Sequence, residues 1–180
     1  MTVQISEGLD LLKALPPPVV AVIHEFRVCE FSTLAKDGTP ITWPLAARYL
    51  PGQSRFFLTT SIGFNQKTLH IRRNPHVSLL FSDPTGSGLE NPSSVLVQGD
   101  AVVSDEVVTD VYGVAEDYWR DSIFRRQPAT EFISGNFLMR KFMDWYYMRL
   151  LIFVTPRVFF WWPNSDFTQR VQKFEVGHVE

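Results

Sequence analysis

Residues 59–76 read TTSIGFNQKTLHIRRNPH and set three hydroxyls (Thr59, Thr60, Ser61), a glycine and a lysine between an apolar run and a helical pattern. Lys67, with Gln66 before it, falls in the first turn of a helix expected to begin near Phe64 or Asn65. Backbone N–H groups there lack intrahelical partners and the macrodipole is positive, so a lysine serving only helix stability belongs at the other end. Hydroxyls, unbonded N–H groups and a cation converging on a helix start form an anion site, most naturally one for phosphate. The same residues admit a simpler account, in which Asn65 or Ser61 caps the helix and Lys67 is solvated.

Other chemistry-bearing residues point less clearly. His70 and His76 are separated by the Asn74-Pro75 break, His24 and His178 are remote, and no carboxylate spacing accompanies any of them, so no metal site is expected. His70 follows Lys67 by one helical turn and either adds to the phosphate site or lies on the surface. Cys29, the single cysteine, cannot form an intrachain disulfide and reads as a small core residue.

The elements that must position these groups are mostly strands. Ser6 to Leu15 reads as a short helix ended by Pro16, Pro17 and Pro18, since proline removes a backbone donor. Val19 to Arg27 is ambiguous. Val28 to Lys36, Ile41 to Leu50 and Arg55 to Thr60 form an expected antiparallel meander, with Asp37-Gly38 as a hairpin turn. After the helix, Pro75 is the stop, HVSLLFSD a fourth strand and VLVQGDAVV a fifth, in which Gly99 marks a bulge or a close backbone approach. Val107, Val111, Val114 and Tyr118 then recur at helical spacing, predicting a helix over about Glu106 to Phe124, with a second over 130–145. Tyr147 to Val154 and Arg157 to Trp162 read as two closing strands around Thr155-Pro156, followed by a polar tail. Hairpin order with helices confined to insertions describes a mainly β chain, an antiparallel barrel with α+β additions. The expected organisation is one domain over 1–180. It comprises an N-terminal helical segment (1–27), barrel strands (28–104), a helical insertion (105–146), closing strands (147–162) and a tail (163–180).

Composition narrows the partners. Seventeen Lys and Arg against nineteen Asp and Glu leave a net charge of −2, with basic residues only in short pairs, so no nucleic-acid partner is expected. The greasiest window, Phe142 to Val154, carries Asp144 and Arg149 and is too short to span a bilayer, and residues 1–10 lack the pattern of a signal peptide. A cytoplasmic, non-membrane protein is the expectation.

In order along the chain, FSTLAKDGTPITWPLAARY, FFLTTSIGFNQKTLHIRRNPHVSLLFSD and SSVLVQGDAVV, over about residues 28–104, resemble the pyridoxamine 5'-phosphate oxidase-like, FMN-binding split β-barrel family. VTPRVFFWWP resembles that family's last barrel strand. The resemblance implies a homodimer with flavin in the groove between two split barrels. Carried over by position, it puts Lys67 on the family's phosphate lysine and Thr60 or Ser61 on its phosphate threonine, with Thr59 adjacent. An extra residue in this loop leaves that choice open. Arg48 falls where the family often has a basic residue, and Ser94 falls where the oxidases have a flavin-contacting glutamine. Thr42, Trp43, Pro44 and Leu45 would run beside the isoalloxazine, offering backbone N–H and C=O groups to its polar edge. Trp43 stands at the position of a family arginine, so one phosphate contact is missing or rearranged.

The namesake enzyme is disfavoured, because the chain ends in DFTQRVQKFEVGHVE without the family's arginine-and-histidine substrate signature. Trp145, Tyr146, Tyr147, Trp161 and Trp162 could stack on a flavin, or else fill a core or a dimer interface. Trp161 and Trp162 point to opposite faces of a strand, so at most one faces the barrel interior. Three functions remain. The first is an FMN-dependent oxidoreductase acting on a small organic substrate or an electron carrier, the second a split barrel binding a deazaflavin (F420) or haem, and the third a non-enzymatic flavin-binding or sensor protein. Catalytic residues are not assigned.

Overall fold

The computed structural model describes residues 2–4, 10–108, 118 and 144–177. Nine strands among them form one sheet: β1 (Thr2–Gln4), β2 (Cys29–Leu34), β3 (Pro40–Leu45), β4 (Arg48–Leu50), β5 (Arg55–Ser61), β6 (His76–Phe81), β7 (Ser94–Val103), β8 (Arg149–Trp162) and β9 (Gln172–Gly177). The order is β1-β9-β8-β7-β6-β2-β3, and β5, carrying β4 on its other side, joins along the first half of β8. Every pair is antiparallel except β1 with β9. The sheet curls but does not close, so the architecture is the split antiparallel barrel expected from the sequence.

Local chemistry accounts for the turns. Gly38 takes φ 85° between β2 and β3, its N–H donates to the Ala35 carbonyl, and the Thr39 N–H donates to the Asp37 carboxylate at 3.0 Å. The three prolines start a helix instead of ending one: α1 (Pro17–Glu25) has prolines in its first turn, where the missing N–H costs nothing. The described part of the helix expected over Ser6 to Leu15 is a single 3-10 turn, Leu11–Ala14, with Asp10 accepting from the Leu12 N–H. Leu11, Leu12, Val19, Val22 and Ile23 from these two segments enter the core.

The single strand expected over Ile41 to Leu50 is two, because the chain leaves β2 at Leu45 and pairs with β5 only from Arg48. Ala46 sits buried in the bend. The two closing strands expected around Thr155-Pro156 are instead one strand, β8. Its ladder with β7 slips between Gln98 and Gly99, so that Gly99 faces Pro156 and Arg157 is the extra residue. A bulge is where a sheet tolerates proline, since no ladder donor is required there. The expected polar tail contains β9, which pairs with both β8 and β1.

The barrel core is built from alternate residues, among them Phe31, Phe56, Leu58, Leu79, Phe81, Val97, Ile152, Val154 and Phe159. Trp161 is in this core while Trp162 packs against Phe167 outside it, as alternation requires. The other face of β5 is covered too: Phe57 joins Ala46, Tyr118 and Tyr147 in a second cluster. Of the insertion expected over 105–146, Glu106 to Val108 are not helical, since Val108 exchanges backbone hydrogen bonds with Arg149. Tyr118 is helical and Asp144–Tyr147 form a short helix, α3, while the rest of that expectation lies outside the described residues. No helix among the described residues is long and apolar enough to cross a membrane.

Candidate functional site

The end of β5 delivers its hydroxyls to both sides of the sheet. Thr60 continues the core face of Phe56 and Leu58, whereas Thr59 and Ser61 continue the face of Phe57. The chain then makes a 3-10 turn, Ile62–Phe64, whose first N–H groups are served by Ser61: its Oγ accepts from the Gly63 N–H at 3.2 Å. Helix α2 (Gln66–Arg73) follows, with Lys67 in its first turn. The simpler capping account does not hold: Ser61 caps the 3-10 turn and not α2, Asn65 at the start of α2 makes no side-chain cap, and Lys67 is not solvated.

Lys67 is only 4% exposed. Its Nζ donates to Thr60 Oγ1 and to the Phe64 carbonyl, both at 2.9 Å, and the Thr60 hydroxyl itself donates to Phe64 O at 3.0 Å. The ammonium also lies 5.2 Å from the centre of the Trp43 ring. These partners are all neutral, and among the described residues no carboxylate is within ion-pair distance of it. Burial, and then the neighbouring Arg149 guanidinium, push the Lys67 pKa down to about 8.

Arg149 opens β8 directly opposite Ser61 in the ladder. Its Nε donates to Thr59 Oγ1 at 3.2 Å, Nη1 donates to the Tyr146 carbonyl at 3.3 Å, and the guanidinium stacks 4.9 Å from the Tyr146 ring centre. Burial holds its pKa below the ordinary arginine value, with nearby tyrosines acting in the opposite direction. Tyr118 closes the far wall and donates from its hydroxyl to the Ala46 carbonyl at 2.9 Å.

Together these groups surround a cleft of about 400 Å³. Of the residues singled out from sequence, Trp43, Pro44, Leu45, Thr59, Thr60, Ser61, Gln66 and Lys67 line it. Three do not. Thr42 Oγ1 is hydrogen-bonded to Ser32 Oγ at 2.7 Å, Arg48 sits in β4 opposite Phe57, and Ser94 Oγ meets Ser165 Oγ at 2.9 Å. His70 is neither a surface residue nor on the cleft. It is buried, with Nδ1 2.9 Å from Thr33 Oγ1 and its ring 5.8 Å from Trp43, and burial lowers its pKa. Cys29 is buried in the core.

The lining residues that sequence reading did not assign to the site are Ala46, Tyr118, Arg149 and the short stretch Gly63 to Asn65, whereas Tyr146 was among the aromatic residues that could stack on a flavin. Arg149 did leave a signal, as the basic residue inside the greasiest window, but only the β5–β8 register shows that it faces Thr59 and Ser61. The lining contains two cations, three hydroxyl side chains from β5 and no carboxylate among the described residues. That donor set suits an anion joined to a body with apolar and aromatic surface.

Comparison with known proteins bears on the family and the fold. The sequence model of a family described as pyridoxamine 5'-phosphate oxidase matches residues 15–138. Among solved structures, a Clostridium acetobutylicum protein related to general stress protein 26 superposes with a TM-score of 0.55 at 12% identity, covering 95% of this chain and 96% of its own. A conserved hypothetical protein of Mycobacterium tuberculosis gives 0.54 at 19% identity, with coverages of 93% and 94%. A heme-binding protein of Mycobacterium smegmatis gives 0.52 at 14%, covering 89% of this chain and 58% of that one. At such identities the likeness is one of fold. No curated protein matches the chain.

Proposed function

The chain belongs to the pyridoxamine 5'-phosphate oxidase family, and from that premise we propose that its cleft holds FMN and that the protein is an FMN-dependent oxidoreductase. The substrate would be a small organic molecule or another electron carrier, not the vitamer of the namesake enzyme. One observation carries the reading: Lys67 is a buried ammonium whose hydrogen-bond partners are all neutral. A buried charge without a counter-charge is costly, and a bound phosphate removes that cost.

On this reading Lys67, Thr60 and Ser61 hold the phosphate, while Trp43, Pro44 and Leu45 line the wall available to the ring system. The flavin supplies hydride or electron transfer, and the chain supplies binding and orientation. The protein acts as a cytoplasmic homodimer. Haem would need an axial ligand, for which the cleft offers, among the described residues, the tyrosines Tyr118 and Tyr146 and no histidine, cysteine or methionine. A deazaflavin shares the phosphate chemistry and is separated only by experiment.

The visible absorption spectrum of the purified protein, before and after adding FMN, tests the reading. Two flavin bands retained through gel filtration support it, and turnover with NADH or NADPH separates an enzyme from a flavin-binding sensor. A colourless protein that takes up deazaflavin but not FMN overturns it.

Affinity should also depend on pH in a defined sense. Lys67 carries its proton below about 8 and loses it above, so FMN binding weakens as pH rises through that value. At the acid side the phosphate gives up its second charge near pH of about 6. Fluorescence titrations from acid to alkaline pH are expected to show tightest binding between the two; an affinity unchanged across the upper limit removes Lys67 from the phosphate.

A further inference from the structure

We propose that Lys67 is also a covalent acceptor for small anionic aldehydes, its Nζ condensing with the carbonyl carbon to an imine when no cofactor fills the cleft. The geometry carries the argument. A neutral amine has two N–H donors, and Thr60 Oγ1 and the Phe64 carbonyl accept two. The Thr60 hydroxyl has backbone acceptors for its own proton in Phe64 O and Ser61 O, which leaves its oxygen to accept from the amine. Without its third proton Lys67 is therefore fully hydrogen-bonded and keeps one lone pair, on a side chain that lines a cleft of about 400 Å³.

The surroundings favour the neutral form and select the reagent. Among the described residues, the charged and titratable groups around Lys67 are Arg149 from β8, Tyr118, and Tyr146 from α3, with His70 on the far side of Trp43, and no carboxylate lines the cleft. Near pH 8 about half of the Lys67 amine is unprotonated, against roughly one in a hundred or fewer for an exposed lysine. A desolvated lysine beside another cation is the arrangement that activates an amine as a nucleophile. The same Arg149 draws in an aldehyde that carries its own negative charge.

The step balances without an added oxidant or reductant. The Nζ lone pair forms the C–N bond as the carbonyl π bond opens onto oxygen. The oxygen then leaves as water with the two amine hydrogens, and the C=N bond remains. A protonated imine retains one N–H for the Phe64 carbonyl.

The test uses glyoxylate as the probe and cyanoborohydride as an external trap on the full chain, read by intact mass and peptide mapping. The expected result is one carboxymethyl group per chain on Lys67, at a rate about tenfold or more above that of Lys36 and Lys173 and rising through pH of about 8. Lys67→Arg, checked for an unchanged circular dichroism spectrum, should take no label at that peptide. Label spread over Lys36 and Lys173 with Lys67 unmodified overturns the proposal. Equal labelling of Lys67 by neutral acetaldehyde overturns its restriction to anions. Labelling without cofactor bears only on this inference, whereas protection by added FMN bears only on the flavin reading, so the two can fail separately.

Discussion

Lys67→Ala is expected to weaken FMN binding by about 10- to 150-fold, the equivalent of the roughly 1.5–3 kcal/mol that a hydrogen bond to a charged group contributes. The same substitution should leave thermal stability unchanged or raise it. In the protein without ligand, Lys67 is a buried cation held by neutral acceptors and a ring face, and such a charge opposes folding. Sign and window follow from the proton balance. Between about 8 and the ordinary lysine value the folded chain binds fewer protons than the unfolded chain, so stability rises with pH there; below about 8 the burial cost is present in full. Lys67→Ala removes both the cost and that pH dependence. Loss of FMN with retained melting temperature marks Lys67 as a ligand residue. Equal loss of both marks it as part of the packing, and the proposed phosphate site would then have to be given up.

The second large effect is on folding. A Cβ built on Gly99 would lie 2.3 Å from the Thr155 carbonyl oxygen and 3.0 Å from Pro156 Cα. Both are backbone atoms of the strand that faces it across the bulge, so no side chain can swing aside. Gly99→Ala is expected to cost about 2–4 kcal/mol, near the upper range for forced overpacking. For a chain of this size that lowers the melting temperature by about 10 °C. Differential scanning calorimetry reads the change directly. Gly52→Ala is the control, since a Cβ there meets nothing within 4 Å, and a similar loss in both variants would mean that the bulge is not the cause.

How much of this was readable in advance depended on how local each feature is. The hydroxyls, the turn and the lysine between β5 and α2 lie within a few residues of one another, and strand-end and helix-start chemistry is enough to bring them together. The hairpin at Gly38 and the role of Gly99 were legible for the same reason. The resemblance added Trp43, Pro44 and Leu45, which do reach the cleft, and also Thr42, Arg48 and Ser94, which do not. Thr42 differs from Trp43 only by the side on which alternation puts it, and that depends on a register no local pattern fixes.

What stayed hidden was decided between distant segments. Arg149 matters because β8 pairs with β5 in a register that sets it opposite Ser61. The prolines at the start of α1 read equally as a stop or a first turn until Val19, Val22 and Ile23 find the core. Pro156 reads as a strand break because the bulge that admits it is created by the partner, Gly99. The polar segment holding β9 looks like a tail because few of its side chains are buried, although its backbone fills a place between β1 and β8.

Strand β5 is covered on both sides, and the two sides answer to different demands. Phe56 and Leu58 hold the barrel together, while Phe57 and Thr59, one residue along in each case, shape the wall shared with Tyr118 and Arg149. A change at Thr59 therefore alters the cleft wall and leaves the barrel core in place, whereas Thr60, on the core side yet bonded to Lys67, answers to both demands.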